Sequence, residues 1–214
     1  MNPIKFKLGL NMLRNLFWVM SLLLAFQGTA HSDAVQDARK PVDRLNAVLI
    51  DVMKGGKQLG FQGRYKKLEP VVKDTFEFEA VSLIALGSHW KKLDVPQKTA
   101  FMEKMSDLSV ATYAAQFKDY GNESFKYQTG QEPKPGNVLL TYTLESPNEK
   151  EINFEYVVRL VNGQWRIINI IVDGISDLAI KKAQYTSVID REGFDALLEK
   201  LKQKIGDYAK NNAA

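Results

Sequence analysis

The apolar positions of this chain follow two rhythms in turn. From Pro41, a residue suited to the first turn of a helix, Val42, Leu45, Val48, Leu49, Val52 and Met53 recur at helical spacing until Gly55-Gly56 ends the pattern. A second helical segment runs from about Phe61, with Tyr65 and Leu68 on one side, and Pro70 either kinks it or starts the next helix. Thr75 to Gly87 opens as Phe-Glu-Phe-Glu, which alternates like a strand. Its continuation through Phe78, Val81, Leu83, Ile84, Ala85 and Leu86 reads as a buried helix closed by Gly87. From Pro96 to Tyr120, Phe101, Met105, Leu108, Thr112 and Ala115 share one helical stripe, widened by Tyr113 and Phe117.

After Gly121 the period drops to two. Ser124 to Gln131 is a weak strand, and Pro133, Pro135 and Gly136 mark a turn. In Asn137 to Glu145, Val138, Leu140, Tyr142 and Leu144 alternate with Leu139, Thr141 and Thr143. Ser146-Pro147-Asn148 turns the chain back into Lys150 to Val161, where Ile152, Phe154, Tyr156, Val158 and Leu160 share a face. Asn162-Gly163 is a two-residue hairpin signal. The next strand, Trp165 to Val172, has Trp165, Ile167 and Ile171 on one face and Ile168, Ile170 and Val172 on the other. A strand apolar on both faces must be covered on both. Asp173-Gly174 ends the sheet, and an amphipathic helical tail begins at Ile175 or Ser176. The order predicts an α+β fold: helices, a meander of about four antiparallel strands, then helices.

The first 30 residues stand apart from this pattern. Lys5, Lys7 and Arg14 precede the apolar run Leu16 to Phe26, and Gly28-Thr29-Ala30 has the small-x-small form of a leader cleavage site. The run is well short of the ~20 residues a membrane-spanning helix needs. The sequence therefore predicts a leader over 1–30, a polar flexible segment over 31–40, and one domain over 41–208, exported with His31 as its first residue. Without the leader's three basic residues the formal charge of +4 falls to +1. The basic footprint that nucleic-acid binding requires is then missing. The chain has no cysteine, which excludes a thiol nucleophile, thiolate metal ligands, disulfides and a lipid-anchored cysteine.

Candidate chemistry is sparse. Beyond residue 31, His89 is the one histidine, beside Trp90 in an apolar setting and with no evident partner for base catalysis. Neither a paired-histidine metal motif nor a Gly-x-Ser-x-Gly elbow occurs, and Gly55-Gly56-Lys57 lacks the strand and spacing of a phosphate-binding loop. Asp173 reads first as a turn residue satisfying the N–H groups of Gly174 to Ser176, and second as a general base in a pocket. Ser176 is a candidate cap for the helix after it, with Asp177 complementing its positive end. No cofactor is expected.

Two blocks carry a family likeness. Trp165-Arg166, then Asp173-Gly174-Ile175-Ser176, then Gly193-Phe194-Asp195-Ala196-Leu197-Leu198 resemble the end of MlaC-type proteins, the toluene-tolerance family of periplasmic lipid-binding proteins. Leu86-Gly87-Ser88-His89-Trp90, Val95-Pro96-Gln97-Lys98 and Thr112-Tyr113-Ala114 resemble its helical region. The runs Asp177 to Tyr185 and Ala111 to Phe117 look closer to the hopanoid-associated branch, HpnM.

The resemblance implies a curved sheet wrapped by helices in the manner of the nuclear-transport-factor-two-like cone, and a lipid pocket inside it. The side chains expected to line that pocket are Phe78, Val81, Leu86, Trp90, Phe101, Met105, Leu108, Leu140, Tyr142, Phe154, Tyr156, Val158, Trp165, Ile167, Ile171 and Ile175. Such a pocket answers a physical need. Two acyl chains crossing water uncovered cost on the order of 20 kcal/mol, at roughly 0.8 kcal/mol per methylene. The implied function is a non-enzymatic periplasmic carrier of a phospholipid or hopanoid. Its implied partners are an inner-membrane ABC-type lipid transporter and an outer-membrane component, with transient membrane contact. The alternatives are a cone-fold enzyme with Asp173 as base, and an adapter that carries nothing.

Overall fold

Helix α1, Gln27–Thr75, is one long element interrupted where glycine allows it. Gly56 and Gly60 adopt φ of 47° and 56°, a region that costs a side-chain-bearing residue strain. The Gly55-Gly56 stop and the restart near Phe61 are thus both present. Pro70, by contrast, does not start a new helix but lies inside α1, where the backbone angles stay helical. The computed structural model describes residues 27–147 and 149–212, with side chains from residue 33 onward. Residues 1–26, which hold most of the expected leader, lie outside this range. Residues 31–40, expected as a flexible segment, instead form early turns of α1, with Ala38 fully buried against the core. Composition made that stretch look like a tail, but Val35, Ala38 and Val42 supply a sparse apolar stripe.

Helix α2, Phe78–Leu86, ends at Gly87 with φ of 55° and leads into a 3₁₀ turn, Gly87–Lys92. The Phe-Glu-Phe-Glu run makes one parallel bridge, Phe76 to Ile167, with the Glu77 N–H donating to the Ile167 carbonyl at 3.0 Å. Helix α3, Val95–Gln116, opens with a capping box. The Asp94 carboxylate accepts the Gln97 N–H at 2.8 Å, and the Gln97 side chain accepts the Asp94 N–H at 3.1 Å.

Strands β1 Ser124–Lys134, β2 Asn137–Glu145, β3 Ile152–Val161, β4 Gln164–Val172 and the short β5 Ile175–Ser176 form an open antiparallel sheet in sequence order. Asn162 and Gly163 both take positive φ, as do Asp173 and Gly174, so both tight turns have the twist a two-residue hairpin needs. Helix α4, Asp177–Glu192, is capped by the Ser176 hydroxyl, which accepts the Ala179 N–H at 3.1 Å. Helix α5, Phe194–Asn211, begins directly after Gly193. The α+β reading stands, with one more strand than the periodicity showed.

One irregularity in the sheet decides which side chains of β4 face the helices. Val157 pairs with Asn169 but Val158 pairs with Ile167, so Ile168 is an extra residue bulged out of β4. Directly opposed residues share a face. Ile167 therefore sits with Val158, and beyond the bulge Ile170 sits with Tyr156 and Val172 with Phe154. The bulge shifts the alternation by one.

Two hydrophobic cores result. The first joins α1, the sheet and the C-terminal half of α3. The second joins α2, the 3₁₀ turn, the N-terminal half of α3, α4 and α5. Polar anchors fix α1 to the sheet: Tyr142 donates to Asp43 at 2.6 Å, and Tyr156 donates to Asn46 at 2.7 Å. Arg64, buried to 2% exposure, bridges α1 to α3 by donating to the Ala114 carbonyl at 2.7 Å and to the Gly56 carbonyl at 3.1 Å. It thereby holds the carbonyl at the break in α1.

Candidate functional site

Between the sheet and the α3–α4 pair lies a cavity of about 480 Å³. Its floor is Phe154 and Tyr156 of β3 with Ile170 and Val172 of β4, the residues the bulge brings onto one face. Leu49 of α1 closes one side. Ser109, Thr112, Tyr113, Gln116 and Phe117 of α3 form the opposite wall, and Asp173, Ile175, Asp177, Ile180 and Lys181 form the rim. Ile175 and Ile180 are 61% and 46% exposed, so the rim offers aliphatic surface to whatever approaches. A further 30 Å³ annex extends beneath Tyr113, Ile170 and Lys181 toward Phe78 and Met105.

The α3 wall is polar without being reactive. Ser109 and Thr112 donate to the Met105 and Leu108 carbonyls of their own helix at 2.9 and 2.7 Å, turning their carbon atoms outward to the cavity. The Tyr156 hydroxyl is committed to Asn46, and burial pushes its pKa well above the ordinary value. Burial, with the Asp177 carboxylate adding to it, likewise raises that of Tyr113. Both tyrosines stay protonated at neutral pH. Asp173 is a turn residue, but its carboxylate accepts the Asn153 N–H at 2.9 Å across the sheet rather than those of Gly174 to Ser176. Positive φ at Asp173 aims the carboxylate back along β3. His89 contacts Asp190 at 3.1 Å, tying the 3₁₀ turn to α4 away from the cavity. No three His, Asp or Glu side chains gather as metal ligands would among the described residues.

The side chains expected in the pocket divide sharply by position. Phe154, Tyr156 and Ile175 line it. Phe78, Val81 and Met105 line the annex. Leu86, Trp90, Phe101 and Leu108 are packed in the helical core. Leu140, Val158 and Ile167 are fully buried in the sheet-side core. Tyr142 faces a second cavity of about 480 Å³ between α1 and β1–β2. Trp165 lines a groove at the far end of the sheet, beside Arg44 and Arg166. Ile171 opposes Glu155, so the pleat turns it away from the cavity floor. The residues that sequence reasoning left out of the pocket are chiefly Thr112, Tyr113, Phe117, Ile170, Val172 and Lys181. The first three are legible as one helical face, whereas Ile170 and Val172 are hidden by the bulge.

The family model of the MlaC protein matches residues 43–203. The chain belongs to the MlaC family. Among curated proteins it is similar to the intermembrane phospholipid transport system binding protein MlaC of Haemophilus influenzae, 21% identical over 122 residues. That alignment spans 55% of this chain and 57% of the relative, little more than half of either. Among solved structures it is similar in fold to the phospholipid-binding protein from Ralstonia solanacearum, determined in complex with a phospholipid. The TM-score is 0.69 at 20% identity, covering 82% of this chain and 98% of that one. The open five-stranded sheet with its covering helices is therefore a fold shared with that protein. No helix among the described residues is long and apolar enough to cross a membrane.

Proposed function

We propose that this chain is a non-catalytic lipid carrier that holds the apolar part of a phospholipid between its sheet and the α3–α4 wall. The observation that carries the reading is the cavity itself. It is floored by aromatic and aliphatic side chains and rimmed by exposed isoleucines. Its volume lies in the range of about 300–1,000 Å³ typical of ligand sites. At roughly 30 Å³ per carbon group, taking the share of a water molecule in the liquid as a guide, it holds about 16 such groups, one long acyl chain. Ile175 and Ile180 then serve as the lip over which the chain slides. The leader pattern of residues 1–30 supports export to the periplasm, with a mature end at His31. The family membership supports transfer between an inner-membrane ABC-type transporter and an outer-membrane component.

A polycyclic lipid is the second reading, because the Asp177 to Tyr185 run resembles the hopanoid-associated branch. Organic extraction of protein purified from the exported fraction, with mass spectrometry of the extract, decides between them. Stoichiometric phospholipid is the expected result, and a stoichiometric pentacyclic lipid would assign the chain to the hopanoid branch. Protein that emerges empty and takes up neither lipid from vesicles would overturn the carrier reading. Asp173→Asn should leave lipid content unchanged, because its carboxylate serves the turn to Asn153.

A further inference from the structure

Lys181 contributes a cation to a space with an apolar floor and the carboxylates of Asp173 and Asp177 at its rim. Its side chain is 16% exposed, and it lines both the main cavity and the annex. Among the described residues no other lysine or arginine lines either one. Its partner is Asp177, one turn earlier on α4 and 63% exposed. A pair of this kind with a solvated carboxylate is weak, and it engages one of the three ammonium N–H donors.

A second donor faces the same space. Tyr113 lines the cavity and the annex, its ring held between Phe76 and Phe117 at centroid distances of 6.3 and 6.1 Å. The side chain is half-buried at the cavity wall, and its hydroxyl makes no hydrogen bond to the protein among the described residues, so it is free to donate to a bound group. An ammonium with N–H groups to spare and a lone hydroxyl donor, next to a cavity sized for a hydrocarbon chain, together match an anionic oxygen group attached to that chain.

We infer that Lys181 and Tyr113 form a head-group subsite for the phosphodiester of a bound lipid. The inference rests on the carrier reading and adds a basis for selectivity to it. The phosphodiester takes the Lys181 ammonium from Asp177, which turns into water, while the Tyr113 hydroxyl donates to a second phosphate oxygen. Uncharged lipids fill the same cavity without using either group.

The test uses delipidated protein and displacement of a fluorescent fatty-acyl probe. Phosphatidylglycerol, a diacylglycerol with the same chains, and inorganic phosphate are titrated separately. Lys181→Gln should weaken phosphatidylglycerol about tenfold or more, the loss of one charge-assisted hydrogen bond, and leave diacylglycerol within about twofold. Lys181→Arg should restore most of the affinity, and Tyr113→Phe should cost phosphatidylglycerol about threefold or more. Asp177→Asn should tighten phosphatidylglycerol, because the competing carboxylate is gone. The subsite is overturned if Lys181→Gln binds phosphatidylglycerol as the native protein does, or if it loses both lipids equally, which would mean a packing role. It is also overturned if inorganic phosphate competes as well as phosphatidylglycerol, since the site would then serve free anions. Native protein that takes up neither lipid would overturn the carrier reading itself, and the subsite with it.

Discussion

The two cores of this protein share helix α3 yet are filled to different degrees. At the N-terminal half of α3, Phe101 meets Tyr185 edge-on and Phe194 at a tilt, with centroids 6.1 and 6.3 Å away, and the 30 Å³ annex lies at the border of this core. Along its C-terminal half Val110, Ala111, Ala114 and Ala115 pack into the sheet-side core, while Ser109, Thr112, Tyr113, Gln116 and Phe117 face about 480 Å³ that stays open against the sheet. Both halves have the same kind of apolar pattern. What differs is that the sheet-side half keeps an open cavity beside a framework in which the tyrosine anchors hold α1 to the sheet and Arg64 holds α1 to α3. The packed half supplies stability, and the hollow half gives up some of it to keep a space.

The largest effect should come from the packed half. Phe101→Ala empties a fully buried site and should cost about 3–5 kcal/mol in chemical denaturation. Lipid uptake by the molecules that remain folded should be unchanged. A loss below about 1 kcal/mol would mean the helical core is loose and the contrast false.

Enlarging side chains should separate the halves more finely. Val158 is fully buried, so Val158→Trp should overpack the sheet-side core and cost about 1–3 kcal/mol. Ile170→Trp projects into open volume. On delipidated protein its melting temperature should stay near the native value while lipid content falls, because bound cargo raises stability by mass action and would mask the comparison. Equal destabilisation at both positions would show that the floor is packed core.

The smallest and most local effect concerns alkali. Tyr65, on α1 in the sheet-side half, has its pKa raised from 10.0 to about 12, first by burial and then by Asp107 and Glu69. Burial raises those of Tyr113, Tyr142 and Tyr156 as well. The folded state thus holds these protons more tightly than the unfolded chain does. Their contribution is complete below pH 10 and is lost as the pH rises toward 12 and beyond. The tyrosinate absorbance of these four should rise together with loss of circular dichroism. Ionisation at ordinary pH with the fold intact would show that the hollow half is wetter than its geometry implies.

Element order was legible because period 3.6 and period 2 are written directly into the apolar positions, and the glycines at 56, 87, 163 and 174 punctuate them. The pocket was legible only in part. Hydrophobicity says that Leu140, Val158 and Phe101 point inward but not whether the inward space is filled, which depends on wall spacing hundreds of atoms away. Arg64 was invisible for a related reason, since a buried arginine on two carbonyls and a solvated one look alike in a sequence. The segment before Pro41 misled because its charges flank the few apolar residues that seat it.

The extra residue at Ile168 makes strand pairing, rather than side-chain identity alone, a control on what the cargo touches. If β4 kept every residue but paired with β3 without the bulge, alternation would run unbroken from Ile167 and turn Ile171 toward the lipid in place of Ile170 and Val172. Deleting Ile168 would instead leave Ile167 opposite Val158 and Asn169 opposite Val157, so Ile170 and Val172 would stay on the floor. One unpaired residue thus sets which face of the following half-strand the cargo meets.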